Sequence, residues 1–343
     1  MSFLPMKRPW LDEDVARGTL HRLVHRSDVL AGNAFHDPVE REVWVYTPHG
    51  FDDGGGLPAV MMLAGFTGTG RNMLNTGLRS PSLDMRVDAL IAAGAPPCVL
   101  VFPDCMTSIG GSQYVNSTST GRYADYVAQE LVPFVSQHFR LSGAWGVAGK
   151  SSGGFGALSL VMDFPGRFQA AACHSGDAHF ESCYIPDFAP AAVGIERAGG
   201  VDAWWHRFCT GGPLIGADHT VLNVLAMACC YSPAEGANRL NAALPMDLYS
   251  GALDAEVFER WSAYDPVVRC RERPEGLKGL ELLWLECGTR DSFRLYVGAR
   301  TLHRALLEGE ISHHFEEFDG DHFKLDYRYN HSLPAVFQAL HEA

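Results

Sequence analysis

The chain has 343 residues, 47% of them hydrophobic, which is enough for one large α/β domain or for a domain that carries an insertion. Its 27 Lys and Arg residues against 40 Asp and Glu residues give a net charge of −13, so nucleic acid and anionic membranes, which would repel such a surface, are disfavoured as partners. The first residues contain no apolar run of signal-peptide length, and no uncharged apolar stretch is long enough to span a membrane. We therefore expect a cytoplasmic protein.

The nine cysteines follow no paired spacing. They are scattered along the chain, and no C-x-x-C motif occurs. Free cysteine commonly behaves as a small buried apolar residue. We expect reduced, mostly buried thiols, with neither a disulfide framework nor a metal site.

Two strands are predicted near the start of the chain, over 19–30 and 41–47. The second is rich in β-branched and aromatic residues and is closed by a Pro-His-Gly turn, which favours an antiparallel pair. The apolar run over 57–66 is too short for a typical helix and follows a glycine-rich turn, which is typical of a strand buried on both faces. It ends in a glycine-rich loop, 65–70.

Strands and helices then alternate. The patterns predict a helix over 82–93, a buried strand over 97–103 and an amphipathic helix over 123–138. Another apolar strand follows over 168–174. This alternation argues for the α/β class, with a mostly parallel sheet and helices on both faces.

The alternation is interrupted over residues 176–250. This segment is rich in aromatic and small apolar residues, including Trp204 and Trp205 and the run 221–230. We interpret the segment as an inserted helical cap. An apolar face on such a cap needs something to cover, and the carboxyl ends of the interrupted strands would offer the mouth of a pocket.

The α/β core is predicted to comprise residues 1–175 and 251–343. In its second part the pattern of a sheet layered with helices resumes. The predicted elements are a strand over 280–287, a helix over 294–307, a strand over 313–318 and a final helix over 333–343.

A serine between glycines joins the apolar run 144–148 to a helix predicted over 155–162. Residues 149–153 read G-x-S-x-G, in which the two glycines let the chain turn sharply and expose the serine hydroxyl at the carboxyl end of the strand. Only Ser151 fits, because the residue two before Ser152 is a lysine. This setting is that of a nucleophile elbow.

A phosphate-binding loop is the competing interpretation, because Gly-Lys-Ser also closes the pattern G-x-x-x-x-G-K-[ST]. The pattern requires a glycine where the chain has Ala144, and Gly143 is one residue too early. The spacing therefore favours a nucleophilic serine.

A serine hydroxyl needs a base within hydrogen-bond reach and a carboxylate that orients this base. With fifteen histidines in the chain, position is what discriminates among them. The loop after the last predicted strand contains His322, which we predict to be the base. A structural role suits His313, His314 or His331 better.

The orienting acid is expected in the loop after the preceding strand, where Asp291 lies. The chain order Ser, Asp, His is that of α/β-hydrolases. Asp254 and Asp321 are alternatives, although Asp321 is adjacent to the base in sequence and would have to fold back on it. Asp291 could instead be a solvated loop residue paired with Arg290.

An oxyanion hole requires two donors beside the nucleophile. We assign the backbone N–H groups of Phe66 and Ser152, because glycines around Phe66 let the backbone approach a substrate carbonyl closely. The alternative that Phe66 only packs stays open.

Sequence position also nominates substrate-binding residues around the elbow. His174, like His179, follows the next strand, and a structural role for either is left open. The cap aromatics could wall a pocket, pack inside the cap or form a subunit contact in a homo-oligomer. The candidates are Gly65, Thr67, Lys150, His174, Trp204 and Trp205.

With these residues in place the chain resembles the putative-esterase branch of the α/β-hydrolases. This branch includes S-formylglutathione hydrolase (esterase D), the enterochelin and feruloyl esterases, and the mycolyltransferases. The likeness covers most of residues 40–175 and 280–325, and the motifs occur in the family's order. They are LAGFTGTGRNM, VFPDCMTSIGGSQYVNS, GRYADYVAQELVPFV, GKSSGGFGAL, CGTRDSF and GDHF.

The resemblance implies an α/β-hydrolase fold and a serine hydrolase with the triad Ser151, Asp291 and His322 and no cofactor. We expect a hydrolase of small-molecule carboxylic esters. A thioesterase or acyltransferase would use the same residues, and a non-catalytic binding protein on this fold is a further alternative. Family members usually have Met at the position of Ser152 and rarely Lys at that of Lys150, and neither difference touches the triad.

Overall fold

The computed structural model describes residues 14–77, 80–211, 214, 216 and 218–343. Residues 1–13, on which part of the signal-peptide expectation rests, lie outside the described part. Within it the main feature is an eight-stranded sheet, accompanied by two ribbons of two strands each. The strands are β1 (Thr19–Arg26), β2 (Glu40–Thr47), β3 (Leu57–Leu63), β4 (Val99–Pro103), β5 (Met106–Thr107), β6 (Gly110–Gly111), β7 (Asn116–Ser117), β8 (Gly121–Arg122), β9 (Leu141–Lys150), β10 (Ala170–His174), β11 (Leu282–Gly288) and β12 (His314–Phe318).

Helices flank this sheet and fill the long connection after β10. They are α1 (Leu83–Ala92), α2 (Tyr123–Asp125), α3 (Val132–His138), α4 (Ser152–Asp163), α5 (Phe180–Cys183), α6 (Ile185–Ala198), α7 (Val201–Cys209), α8 (Asp218–Tyr231), α9 (Ala255–Ser262), α10 (Pro266–Glu272), α11 (Glu275–Lys278), α12 (Leu295–Glu308) and α13 (Tyr329–Glu342). A π-helical segment, Tyr126–Leu131, joins α2 to α3. Short 3-10 turns cover Phe51–Asp53, Gly70–Leu74 and Asp326–Arg328.

The strand order is β1-β2-β4-β3-β9-β10-β11-β12. In this sheet, β1 with β2 and β2 with β4 pair antiparallel. All the other neighbouring strands, from β4 through β3, β9, β10 and β11 to β12, pair parallel. The predicted antiparallel opening and mostly parallel sheet are confirmed. β1 ends before residue 30, because the N–H groups of Asp28 and Val29 donate to the Glu130 carboxylate at 2.9 and 3.0 Å instead of to a strand.

Both faces of β3, β4, β10 and β11 are buried, as their continuous apolar sequences predict, whereas the edge strand β12 is only partly buried. In β3, Met61 and Leu63 belong to a cluster that also contains residues of α2, α3, α4 and α12. Val60 and Met62 belong to a second cluster with residues of α1 and α13. Successive residues of a strand point to opposite faces, so the sheet is a central layer between two helical layers.

Helix α4 packs very closely on the centre of the sheet. A Cβ atom on Gly153 would lie 2.1 Å from the carbonyl oxygen of Leu63 in β3, and one on Gly149 would lie 2.5 Å from the backbone of Gly153. A Cβ atom on Gly156 would lie 2.3 Å from the Tyr114 ring. Side chains cannot be accommodated at these distances, so the close packing depends on glycine.

The connection between β10 and β11 contains α5 to α11. Helices α5 to α8 lie within the predicted cap, 176–250. Their apolar residues form a third cluster, and Phe258 and Trp261 of α9 belong to the same cluster. Phe155 of α4 also belongs to it, so this cluster reaches the core beside the elbow. The packing therefore does not change at residue 250, where the core was predicted to resume.

All nine cysteines are free thiols, and seven of them are buried. In the described part of the chain, no group of three or more His, Cys, Asp or Glu side chains could hold a metal ion. No helix among the described residues has both the length and the apolar character needed to cross a membrane.

We expect Gly153→Ala to destabilise the protein by about 1–3 kcal/mol, the usual cost of overpacking, or to prevent folding. The added carbon would meet the Leu63 carbonyl oxygen, a backbone atom that cannot move aside. Urea unfolding measures the effect. Gly55→Ala is the matched control, because nothing lies within 4 Å of a Cβ atom there. Equal unfolding midpoints for the two variants would contradict this account of the packing.

Candidate active site

Ser151 lies in the sharp turn between β9 and α4. Its backbone has φ 58° and ψ −125°, a conformation that is strained for a residue with a side chain. The turn is held by the Ser151 N–H, which donates to the His174 carbonyl at 2.9 Å, and by the Ser151 carbonyl, which accepts from the Phe155 N–H at 2.9 Å. Helix α4 begins at Ser152, earlier than the predicted start at residue 155. This is the geometry of a nucleophile elbow.

The loops after β11 and β12 meet at the same edge of the sheet. Gly288, the last residue of β11, pairs with Phe318, the last residue of β12. The Arg290 N–H donates to the Gly320 carbonyl at 2.9 Å. A Cβ atom on Gly288 would lie 2.4 Å from the same oxygen, so a glycine lets the two loops touch. The contact holds the segments before Asp291 and His322 together.

Ser151, His322 and Asp291 form a continuous chain of hydrogen bonds. His322 Nδ1 lies 2.7 Å from Asp291 Oδ2, and His322 Nε2 lies 3.1 Å from Ser151 Oγ. Because a carboxylate only accepts, Nδ1 carries the proton and the neutral ring accepts from the serine hydroxyl at Nε2. Asp291 and His322 are 3% and 4% exposed, whereas Ser151 is partly exposed. Three residues that are distant in sequence are thus brought within hydrogen-bond distance.

The alternatives for the acid lie in other surroundings. Asp254 caps α9, where its carboxylate accepts from the Val257 N–H at 3.0 Å. Arg290 pairs with Asp319 at 2.8 Å. Asp291 is therefore a buried partner of the histidine and not the solvated partner of Arg290.

Asp321 joins the two loops of the site. Its Oδ1 accepts the backbone N–H of His322 at 2.6 Å and that of Ser292 at 2.9 Å. The hydrogen bonds from His322 and then Ser292 lower the pKa of Asp321. Asp321 therefore lies beside the histidine as an anchor for its backbone, while the Asp291 carboxylate contacts the ring.

The loop after β3 passes beside Ser151. A Cβ atom on Gly65 would lie 3.6 Å from the Ser151 Cβ atom. The Phe66 ring turns away, against Gly110, where an added Cβ atom would lie 2.7 Å from the ring, and against the cap cluster. Packing of the Phe66 side chain and a role for its backbone N–H are thus compatible.

Ser152 is buried and is the first residue of α4. The first N–H groups of a helix have no partner within the helix and lie at the positive end of its dipole. This position, directly after Ser151, suits the predicted second donor. Thr67 is exposed in the loop after β3 with a left-handed backbone, φ 62°.

Lys150 precedes the serine, and its ammonium group is directed to the loop after His322. The Nζ atom lies 5.5 Å from the centroid of the Phe323 ring. Burial lowers the pKa of Lys150, and three nearby carboxylates counteract this effect. They are Asp326, Asp291 and Asp321.

His174 is buried, and its nomination as a substrate-binding residue is corrected. Its Nδ1 donates to Glu286 Oε1 at 2.8 Å, and its Nε2 lies 2.9 Å from the Ser332 hydroxyl oxygen. Both ring nitrogens are therefore occupied within the protein. His179 Nδ1 lies 2.8 Å from the Ser182 hydroxyl at the start of α5.

Glu286 is the centre of a buried polar network below the site. It also accepts from Arg328 Nε and Nη2 at 2.9 and 2.8 Å and from Trp284 Nε1 at 3.0 Å. Burial alone would raise its pKa, but the hydrogen bonds from His174 and Arg328 lower the pKa to about 2. This network ties β10 and β11 to the chain that enters α13.

Trp204 lies inside the cap, so its nomination as a pocket residue is also corrected. Its side chain is 0% exposed, stacks on Phe208 at 5.3 Å between ring centroids, and donates from Nε1 to Asp218 at 3.0 Å. A side chain without accessible surface cannot contact a substrate. Trp205 is partly exposed and contacts Phe208 and Phe35 at 5.4 and 5.6 Å between centroids.

The prediction from sequence omits two aromatic residues at the site, Phe293 and Phe323. Their ring centroids lie 4.7 and 5.4 Å from that of His322, both edge to face. Each follows a triad residue closely in sequence, and each is an apolar residue in a polar loop. That combination is the signal that could have nominated them.

A buried polar cluster near His322 has no comparable signal in the sequence. Asp177 Oδ2 accepts from the Tyr184 hydroxyl at 2.9 Å and from Gln113 Nε2 at 3.4 Å. Burial raises the pKa of Asp177, while the Tyr184 hydrogen bond acts in the opposite direction. Gln113 comes from the loop after β6, far away in the chain, so only the fold brings these groups together.

The fold and the arrangement around Ser151 agree with a known family. The family model described as "Putative esterase" matches residues 38–340, most of the chain. The chain therefore belongs to this family of esterases. The family resemblance and the fold class predicted from the sequence are confirmed. The sequences of curated proteins give no match.

Several solved structures share the fold at low sequence identity. A ferulic acid esterase has a TM-score of 0.61 and 17% identity, with 94% of this chain and 99% of that chain covered. An S-formylglutathione hydrolase from Agrobacterium tumefaciens has a TM-score of 0.59 and 18% identity, with 94% and 96% covered. A CE1 ferulic acid esterase from Anaeromyces mucronatus has a TM-score of 0.56 and 14% identity, with 96% and 94% covered. The likeness shows the fold and leaves the substrate open.

We expect Glu286→Gln to lower the free energy of unfolding at pH 7 by about 1–3 kcal/mol, because Arg328 loses its fully buried charge partner and keeps Glu316, a partly exposed carboxylate 2.8 Å away. The pKa of Glu286 falls from 4.5 to about 2 on folding, so its stabilisation is complete above pH 4.5 and is lost as pH falls towards 2. Urea midpoints between pH 6 and 3 should fall less steeply in the variant than in the wild type. If the urea midpoints of the variant and the wild type fell in parallel with pH, Glu286 would not be the group whose pKa is lowered on folding.

Proposed function

We propose that this chain hydrolyses carboxylic esters through an acyl-enzyme formed on Ser151. The observation that carries the proposal is the chain of hydrogen bonds from Ser151 Oγ through His322 to the buried Asp291 carboxylate. A serine, a histidine and a carboxylate in this geometry can move a proton from the hydroxyl as it attacks an acyl carbon.

In the acylation step, Ser151 Oγ attacks the ester carbonyl carbon and His322 Nε2 takes its proton. Asp291 holds the imidazole in the required tautomer and stabilises the imidazolium that forms. The tetrahedral intermediate collapses, the bond to the alcohol oxygen breaks, and His322 returns the proton to this oxygen. The alcohol leaves and the acyl group remains on Ser151.

The oxyanion of the intermediate would accept from the backbone N–H groups of Phe66 and Ser152. Two features support this assignment: Gly65 brings its loop beside Ser151, and Ser152 starts α4. Donors fixed by the backbone need no reorganisation as charge develops, which is why such sites lower the barrier.

In the deacylation step, a water molecule attacks the acyl carbon and His322 takes its proton. The bond between the acyl carbon and Ser151 Oγ then breaks, His322 returns the proton to Oγ, and the carboxylic acid leaves. An alcohol or thiol in place of water would make the same site an acyltransferase, and a thioester would form the same acyl-enzyme. A ferulic acid esterase has a similar fold, and we propose an oxygen ester as substrate. An S-formylglutathione hydrolase also has a similar fold, so thioesters are included in the test.

We expect Ser151→Ala to abolish labelling by a fluorophosphonate probe and to reduce turnover of p-nitrophenyl esters and thioesters by several orders of magnitude. The loss follows because the attacking oxygen is removed. Ser152→Ala, the matched control, keeps its backbone N–H and should retain labelling and at least part of the turnover. Equal losses in the two variants would refute Ser151 as the nucleophile. Labelling of the wild type without turnover would instead favour a transferase.

Asp291→Asn should lower kcat by about 10⁴, because an amide no longer fixes the tautomer of His322. Asp254→Asn is the control and should leave kcat almost unchanged, since Asp254 caps α9 and asparagine caps helices equally well. Steady-state kinetics with one p-nitrophenyl ester measure both variants. If Asp254→Asn gave the larger loss, Asp291 would not be the acid.

A further inference from the structure

Two exposed aromatic side chains lie on either side of the base. Phe293 is 47% exposed and Phe323 is 57% exposed. Single exposed apolar residues are ordinary on protein surfaces. These two differ because their ring centroids lie 5.9 Å apart, edge to face, and both rings contact His322. We call Phe293 and Phe323 the aromatic rim.

The rim is held by the loops that position the triad. The Phe293 N–H donates to Asp291 Oδ1 at 2.9 Å, so the backbone of this residue is fixed by the acid itself. Phe323 directly follows His322, and the Lys150 ammonium group lies 5.5 Å from its ring centroid. The two rings are therefore placed relative to the reacting atoms and do not belong to a free loop.

The position of the rim beside His322 indicates which part of a substrate it meets. His322 must protonate the oxygen of the departing alcohol, so this oxygen has to lie against Nε2. In the proposed function, the carbonyl oxygen of the ester is directed towards the N–H groups of Phe66 and Ser152. A group attached to the alcohol oxygen extends past the imidazole, where the two exposed rings lie.

We infer that the aromatic rim is the alcohol subsite and that it favours aromatic alcohols. This inference rests on the proposed function. An aromatic group can meet the exposed rings edge to face, an arrangement that adds to the burial of apolar area.

The first test varies the alcohol at constant acyl group. Benzyl, cyclohexylmethyl and ethyl acetate are compared by kcat/KM, which reports acylation. Phe323→Ala and Phe293→Ala should each lower the preference for benzyl over ethyl acetate by about three- to tenfold, the scale of one aromatic contact. Phe323→Leu should retain cyclohexylmethyl acetate turnover and lose the benzyl preference.

Val24→Ala is the matched control, because Val24 is an apolar residue with 51% exposure on β1, at the opposite edge of the sheet from β12. It should leave all three ratios unchanged. Turnover of ethyl acetate and the rate of fluorophosphonate labelling show whether each rim variant keeps a working triad. A rim variant that lost all substrates equally would have disturbed His322, and the double variant Phe293→Leu with Phe323→Leu then replaces it.

The second test measures transfer of the acyl group from Ser151 to an added alcohol, which has to occupy the same subsite. With p-nitrophenyl acetate as donor, benzyl alcohol attacks the acetyl carbon, the bond to Ser151 Oγ breaks, and the alcohol proton returns through His322 to the serine. The ratio of benzyl acetate to acetate formed should fall about three- to tenfold in the rim variants, with ethanol as the reference acceptor.

The outcomes separate the two proposals. If hydrolysis depends on Ser151 but the rim variants change neither the alcohol preference nor the acceptor ratio, the inference is wrong and the proposed function stands. A change that follows the acyl group instead, for example between benzyl acetate and benzyl butyrate, would place the acyl chain at the rim and overturn the inference. Hydrolysis that survives Ser151→Ala would refute the proposed function.

Discussion

The close contact between α4 and β3 is the constraint on which the rest of the site depends. Gly153 lies against the Leu63 carbonyl with no room for a side chain. Because α4 starts so close to β3, the chain has to turn sharply between β9 and α4. Ser151 makes this turn with a strained backbone conformation. The same contact brings the loop of Gly65 alongside the serine. A steric property of glycine thus positions both Ser151 and the backbone N–H groups beside it.

A second contact of the same kind organises the other half of the site. Gly288 lets the loops after β11 and β12 touch, and Asp321 ties the backbone of one loop to the other. The orientation of His322 is therefore set before any substrate arrives, since its ring and its backbone are both held by carboxylates. Donors and acceptors that are already in place are what acyl-transfer chemistry requires, because reorganisation during the reaction would raise the barrier.

The aromatic residues of the cap mainly form the hydrophobic core of the cap itself. These residues pack on one another, and the Trp204 side chain stacks on Phe208 and donates a hydrogen bond to Asp218. The aromatic surface that is accessible near the base comes instead from the triad loops. Substrate selection by Phe293 and Phe323 would therefore be linked to the loops that hold the acid and the base, and less to the large insertion. Helix α4 connects the two regions, because Phe155 belongs to the cap cluster.

The sequence by itself determined the alternation of strands and helices, the elbow at Ser151 and the candidates Asp291 and His322. These features depend on local patterns: apolar runs of strand length, glycines where the chain must turn, and the order of loops along a parallel sheet. Only the tertiary structure decided which side of the sheet His174 faces, because neighbouring residues at a strand end point to opposite faces. It also decided that Trp204 is buried and that Phe293 and Phe323 flank the base. An aromatic residue packs equally well inward or beside a site, and its neighbours come from segments too distant in the chain for any local pattern to reveal.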